Sequence, residues 1–172
     1  PGGRGFGEPV RAMADIDADA AIVALLPASQ AERLIVAASD GRGFIVQAAD
    51  VLAETRKGKQ VMTPRPGAVL RIVRPIGAQD DAIGVIGDNR KLLVFPLSEV
   101  AELSRGQGVQ LQRYRDGGLS DVTTFRWADG LRWRMGGDQE RYRTETDLTA
   151  WRAARGAAGR MPPTGFPRDN HF

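Results

Sequence analysis

Apolar residues in this chain come in short runs separated by glycine, aspartate and asparagine, the spacing of strands and their turns. Leu34-Ile-Val-Ala-Ala38 is followed by Ser39-Asp-Gly-Arg-Gly43 and then Phe44-Ile-Val46, two brief apolar strands around a turn whose Asp-Gly pair is a strong hairpin signal. The same arrangement returns as Ile83-Gly-Val-Ile86, Asp88-Asn-Arg-Lys91 and Leu92-Leu-Val-Phe95. Leu70-Arg-Ile-Val73 and Val109-Gln-Leu-Gln-Arg-Tyr114 supply further strands, the latter with one polar face. One segment departs from the strand period: Thr144-x-x-Asp147 forms a capping pattern, Leu148 and Trp151 lie three apart, and Gly156 follows. This pattern predicts a short C-terminal helix.

The strand pattern is also periodic on a larger scale. At an offset of 48 the chain matches itself without gaps, Pro27 on Pro75, Ile35 on Ile83, Asp40 on Asp88, Arg42 on Arg90, Val46 on Val94 and Gly58 on Gly106. A third copy has altered spacing, with Trp127 to Trp133 in place of the Asp40 and Asp88 turns, Arg155-Gly156 in place of Arg105-Gly106, and an insertion at Gly136 to Thr144. Arg4-Gly-Phe-Gly7 is the stub of an earlier copy. Four short strands per copy is the arithmetic of propeller blades, which run to about 40 to 50 residues. The expected fold is therefore all-β, a propeller-like repeat domain of about three to four blades over residues 1–160, with copies near 22–69, 70–117 and 118–160. A β-sandwich with accidental self-similarity is the alternative. The tail, 161–172, has too little periodicity to fold alone and either drapes over a neighbour or is disordered.

Composition narrows the function. The net charge is only +3, but 21 of the 24 basic residues are arginine, the side chain suited to planar and phosphate recognition. The cations are clustered. No acid lies between Arg56 and Arg74, a window that holds Lys57, Lys59, Arg65 and Arg71. Arg105, Arg113 and Arg115 recur one copy later, and Arg152, Arg155 and Arg160 in the next. Asp15, Asp17, Asp19, Asp80 and Asp81 gather in other loops, so a small net charge coexists with a strong local field. Runs sharing one repeat register would form a basic stripe along successive blades, and glycines beside them let phosphates approach the backbone. Arg4, Arg56, Lys57, Lys59, Arg105, Arg113 and Arg155 are the candidate DNA contacts. Each single run also reads as a solvated turn that protects a sheet edge.

Several chemistries are set aside. Cysteine is absent, so there is neither a disulfide framework nor a thiolate metal site, and the cytoplasm is the default compartment. No apolar run reaches the ~18 residues that span a bilayer, and the start lacks a signal-peptide core, so no membrane association is expected. Asp15-x-Asp17-x-Asp19 begins like a calcium loop, but Ala20 stands where glycine is required and Leu26 where glutamate is. Gly3-x-Gly5-x-Gly7 has no strand before it. The only histidine, His171, is penultimate, so a histidine triad or metal cluster is not available and catalysis by this segment is not expected. Trp127, Trp133 and Trp151 are expected in the core, with base stacking as the other option.

Three segments carry a family resemblance: Thr55-Arg-Lys-Gly-Lys-Gln-Val61, the run from Arg105-Gly-Gln-Gly to Leu119-Ser-Asp121, and Ala158-Gly-Arg-Met-Pro-Pro-Thr-Gly-Phe-Pro-Arg-Asp-Asn170. Together they resemble the C-terminal domain of the A subunit of bacterial DNA topoisomerase IV. The resemblance implies a β-pinwheel, a propeller relative whose blades exchange strands, and binding of the DNA segment to be transported. It also implies a parent enzyme that uses ATP and magnesium to pass one duplex through another. That enzyme would contain a second A subunit plus a B subunit, in the cytoplasm at the nucleoid. The segment itself would need no cofactor. The related gyrase subunit carries a Gln-Arg-Arg-Gly-Gly-Lys-Gly box that wraps DNA, and here Arg56-Lys-Gly-Lys59 only echoes it. Three to four blades are also fewer than the family's usual five or six, which implies a truncated ring or an open arc.

These readings predict a duplex-DNA-binding and bending module without sequence preference, since no recognition helix is apparent. The alternative is a propeller that binds an acidic or chromosome-organising protein.

Overall fold

The computed structural model describes residues 32–56, 63–104, 106–115, 117–135 and 141–172. The elements are β1 (Arg33–Ala38), β2 (Arg42–Gln47), α1 (Ala48–Arg56), β3 (Leu70–Pro75), β4 (Ala82–Gly87), β5 (Leu92–Pro96), β6 (Val109–Gln110), β7 (Leu119–Phe125), β8 (Leu131–Met135) and β9 (Arg141–Glu145). Strands dominate and α1 is the single helix among the described residues, as an all-β repeat requires. The strands form sheets of order β3-β1-β2-β6, β5-β4-β7 and β8-β9. The chain divides into two compact units that interleave in sequence, one of Pro1–Ile76 with Ala101–Val109, the other of Gly77–Val100 with Gln110–Phe172.

The first unit is built on the β1–β2 hairpin. Its three-residue turn ends at Gly41, whose φ of 88° is the left-handed position such loops need, and Asp40 Oδ1 accepts the Arg42 N–H at 3.2 Å. β3 pairs antiparallel with β1, with an irregularity between Ala37 and Ala38. Leu34, Val36, Phe44, Val46 and Leu70 make one apolar cluster, which Val51 of α1 completes. The chain segment after β5 returns to the free edge of β2: the Ile45 N–H donates to Ala101 O (2.9 Å) and the Leu103 N–H to Ile45 O (2.8 Å).

The second unit repeats this construction. Asn89 Oδ1 accepts the Lys91 N–H at 3.1 Å in the β4–β5 turn, and β7 takes the place of β3 beside β4. The edge of β5 is closed by a later segment, with the Val94 N–H donating to Trp151 O (3.0 Å) and the Ala153 N–H to Val94 O (3.1 Å). Each sheet thus borrows its outer edge from further along the chain, which removes an exposed edge. The structural step is 49, one more than the best letter match. The ladder irregularities move from Ala38 to Gly87, and Leu70 opposite the first moves to Leu119 opposite the second, 49 positions in each case. Gly41 therefore corresponds to Arg90, also left-handed at φ 65°, and Asp40 to Asn89. Central strands of these hairpins are buried on both faces, so a one-residue slip leaves the apolar pattern unchanged and the letters alone do not fix register.

The helix expected after Thr144 is not formed. β9 runs to Glu145, a single turn follows in which the Trp151 and Arg152 N–H groups donate to Leu148 O (3.0 and 3.1 Å), and the chain then extends along β5. Ladder bonds to the otherwise open β5 edge outweigh the capping pattern, while Leu148 still buries its side chain. The observed helix, α1, lies instead directly after β2, and its counterpart after β5 is one 3₁₀ turn, Leu97–Glu99.

The tail lies across the second unit. Phe166 is buried with its ring centroid 5.4 Å from that of Trp133, and Phe172 meets Phe166 edge-on at 5.5 Å. Arg90 holds it by donating to Phe166 O (2.9 Å), Pro167 O (2.7 Å) and Asn170 Oδ1 (3.0 Å). The buried Asp121 accepts the Phe172 N–H at 2.9 Å, and its Oδ2 lies 3.5 Å from His171 Nδ1. Trp133 is buried in the core, as expected, whereas Trp127 and Trp151 are only partly buried and pack against the same cluster.

Candidate nucleic-acid interface

Arg4, Lys57, Lys59 and Arg105 lie outside the described residues, as does the Asp15 to Asp19 stretch. Arg56 is the last residue of α1. Arg113 and Arg155 are both described, and the second unit brings them onto adjacent backbone segments. The Gly156 N–H donates to Leu111 O (2.9 Å) and the Arg113 N–H to Ala157 O (3.1 Å), so the two stretches run side by side.

Gln112 organises this edge. Fully buried, it donates through Nε2 to Lys91 O (2.7 Å) and Ala158 O (2.9 Å), while the Arg160 N–H and O pair with Leu92 at 3.0 and 2.7 Å. The buried amide thus ties Lys91 to Ala158, ladder bonds to Ala157 and Leu92 hold the backbone at Arg113 and Arg160, and the Arg113 and Arg160 side chains are exposed. Two glycines permit the close approach of the borrowed segments. A Cβ on Gly159 would stand 2.5 Å from Leu92 O and one on Gly108 2.3 Å from Gly43 O, and both residues have positive φ.

Arg155 is half-buried and already engaged. Its Nη1 donates to Gln110 O at 3.0 Å, and its backbone N–H donates to Glu99 Oε1 at 3.1 Å. A guanidinium has five N–H donors, so this anchoring bond orients the group and leaves donors over. Acids in the other loops serve the fold: Asp80 Oδ2 accepts from the Gly77 N–H (2.9 Å) and the Thr124 hydroxyl (2.7 Å), and Asp81 Oδ1 from the Trp127 N–H (2.7 Å).

The candidates drawn from the repeat omit the arginines of β8 and β9. Their signal was present as the alternation Leu131-Arg-Trp-Arg-Met135 and Arg141-Tyr-Arg-Thr-Glu145, a two-residue period with arginine on each strand. Arg132, Arg134, Arg141 and Arg143 are all exposed. Arg143 lies 5.9 Å from the Trp133 ring centroid and donates to Thr164 O at 3.0 Å, whereas the Arg132 guanidinium sits 3.8 Å above the ring of Tyr142. Among the described residues no group of three or more histidines or carboxylates is arranged to hold a metal ion, and no helix is long and apolar enough to cross a membrane.

The fold, repeated hairpin sheets whose outer edges come from further along the chain, resembles one class: the β-pinwheel C-terminal domains of gyrase A and ParC. The DNA gyrase C-terminal domain, beta-propeller, family model matches residues 85–122. The E. coli ParC C-terminal domain superposes with a TM-score of 0.64 at 23% identity, over 81% of this chain and 59% of that one, and the gyrase A C-terminal domain with 0.55 at 15% identity, over 74% and 42%. Within the class, the relatives that cover this chain are A subunits of DNA topoisomerase IV, and the chain resembles their C-terminal domain. It is 36% identical to the A subunit of DNA topoisomerase 4 from Rickettsia bellii over 99% of its length, and 36% identical to the corresponding protein of Caulobacter vibrioides over all of it. It spans 22% of the length of each of these relatives.

Proposed function

We propose that this domain binds and bends duplex DNA without sequence preference, presenting the transported segment to the cleavage core and so tuning which crossings the enzyme resolves. The observation that supports this most directly is the edge of the second unit, where Arg113 and Arg160 are exposed on backbone fixed by ladder bonds beside the buried Gln112 amide. Cations on a prearranged frame lose little entropy when they meet phosphates, and such contacts position a duplex without reading its bases. The proposed set is Arg4, Arg56, Lys57, Lys59, Arg105, Arg113 and Arg155, to which the geometry adds Arg160. In the whole enzyme the domain would work beside the ATP- and magnesium-dependent machinery. Its partners, at the nucleoid, would be the B subunit, a second A subunit, plus a chromosome-organising protein.

The test is a salt titration of duplex binding by the chain. If about six to ten phosphates are neutralised, affinity falls by about 10³ to 10⁵ between roughly 50 and 200 mM salt. Arg113→Ala with Arg160→Ala should lower affinity equally for unrelated sequences and flatten the log–log slope by about one per lost contact. Unchanged duplex binding in that double variant, alongside loss of an acidic protein ligand, would identify a protein-binding module instead.

A further inference from the structure

The β8–β9 hairpin belongs to the second unit but not to the edge just described, and its two faces differ sharply. Leu131 and Trp133 point into the core. The pairing Arg132↔Thr144 and Arg134↔Tyr142 puts these four residues together on the opposite face. All four are exposed, and this outward row contains two arginines, two hydroxyl-bearing side chains and no carboxylate. Tyr142 is 49% exposed and is one of only two large hydrophobic residues so exposed among those described. Its ring carries the Arg132 guanidinium at 3.8 Å. Arg132 and Tyr142 are diagonal neighbours across the ladder, within reach of long and aromatic side chains.

We infer that this face is a second duplex contact, which grips the phosphodiester backbone through Arg132, Arg134 and the hydroxyls of Tyr142 and Thr144. Arginine, threonine and tyrosine are side chains that donate to phosphate oxygens, and stacking on Tyr142 pre-orders the Arg132 fork. Same-face residues on a strand are about 6.8 Å apart. A duplex carries a charge about every 1.7 Å of axis, so a row of that length always meets phosphates whatever the sequence. A protein partner would need an apolar centre that can be desolvated, and beyond the Tyr142 ring this row offers none.

This inference rests on the proposed DNA-binding function, and the experiment separates the two. Binding of a linear duplex is titrated against salt for the chain, for Arg132→Ala/Arg134→Ala, for Arg132→Lys/Arg134→Lys, and for Arg113→Ala/Arg160→Ala, with thermal unfolding to show that each is folded. The alanine pair in the hairpin should weaken binding several-fold and flatten the slope by about two, and the lysine pair should restore the slope by keeping the charge. Tyr142→Phe should cost less than the alanine pair, since it keeps the stacking platform and loses only the hydroxyl. A hairpin alanine pair that binds like the parent while the Arg113/Arg160 pair is impaired overturns this inference and leaves the proposed function standing. A parent chain that does not bind duplex at all overturns both.

Discussion

Arg90 occupies a backbone position that its repeat counterpart meets with glycine. A left-handed φ costs a side-chain-bearing residue about 1 kcal/mol or more, and Gly41 avoids that cost at the same point of the first hairpin. What offsets it is the guanidinium, whose three hydrogen bonds to Phe166, Pro167 and Asn170 hold the tail against the second unit. Hydrogen bonds from a charged donor contribute about 1.5 kcal/mol or more each, so the exchange is favourable. Arg90→Ala keeps the backbone cost and loses the grip, and should destabilise the chain by about 2 to 4 kcal/mol in denaturant unfolding. Arg90→Gly also loses the grip but removes the strain, so it should be about 1 kcal/mol less damaging than the alanine variant. Equal losses in the two variants would show that the backbone conformation carries no strain.

At the scale of elements, the borrowed edge segments determine whether the sheets close. Gly156 and Gly159 both have positive φ, yet their surroundings differ. A Cβ on Gly156 meets nothing closer than Gln110 O at 3.7 Å, while one on Gly159 would reach Leu92 O at 2.5 Å and push apart the paired Leu92 and Arg160. Gly156→Ala should therefore cost about 1 kcal/mol of conformational strain, and Gly159→Ala that amount plus the clash, about 2 to 4 kcal/mol, with faster hydrogen exchange at the Leu92 amide. Similar costs for both would mean the segment can shift without loss. The hairpins of these sheets are written into the sequence as apolar runs around Asp40-Gly41 and Asn89-Arg90 turns. The edges are not, because their bonds join residues 56 to 68 positions apart. The same long-range ladder explains why the local pattern after Thr144 does not become a helix: Trp151 and Ala153 bond the edge of β5. α1 escapes a periodicity test because among its described side chains Val51 alone is buried.

For the molecule as a whole, charge placement matters more than charge total. The repeat register puts Arg113 and Arg155 in successive copies, but it does not reveal that their stretches run side by side, that Arg155 spends a donor on Gln110 O, or that an uncharged residue, Gln112, lies buried at this edge. It also passes over the β8–β9 arginines, since that hairpin falls where the third copy departs from the other two. On the proposed function, exposed arginines in more than one place would hold a duplex at separate points, whereas strong chiral wrapping needs a continuous, tightly held path. The wrapping box described for gyrase survives here only as Arg56-Lys-Gly-Lys59, so the domain is expected to bend DNA without fixing a superhelical turn. Relaxed circular plasmid, saturated with the chain and treated with a nicking–closing enzyme, should then keep the centre of its topoisomer distribution. The same preparation should show shortened end-to-end distances on linear duplex by energy transfer between end labels. A topoisomer distribution that moves steadily with added protein would mean that the path is continuous and handed, and that the degenerate box suffices to wrap.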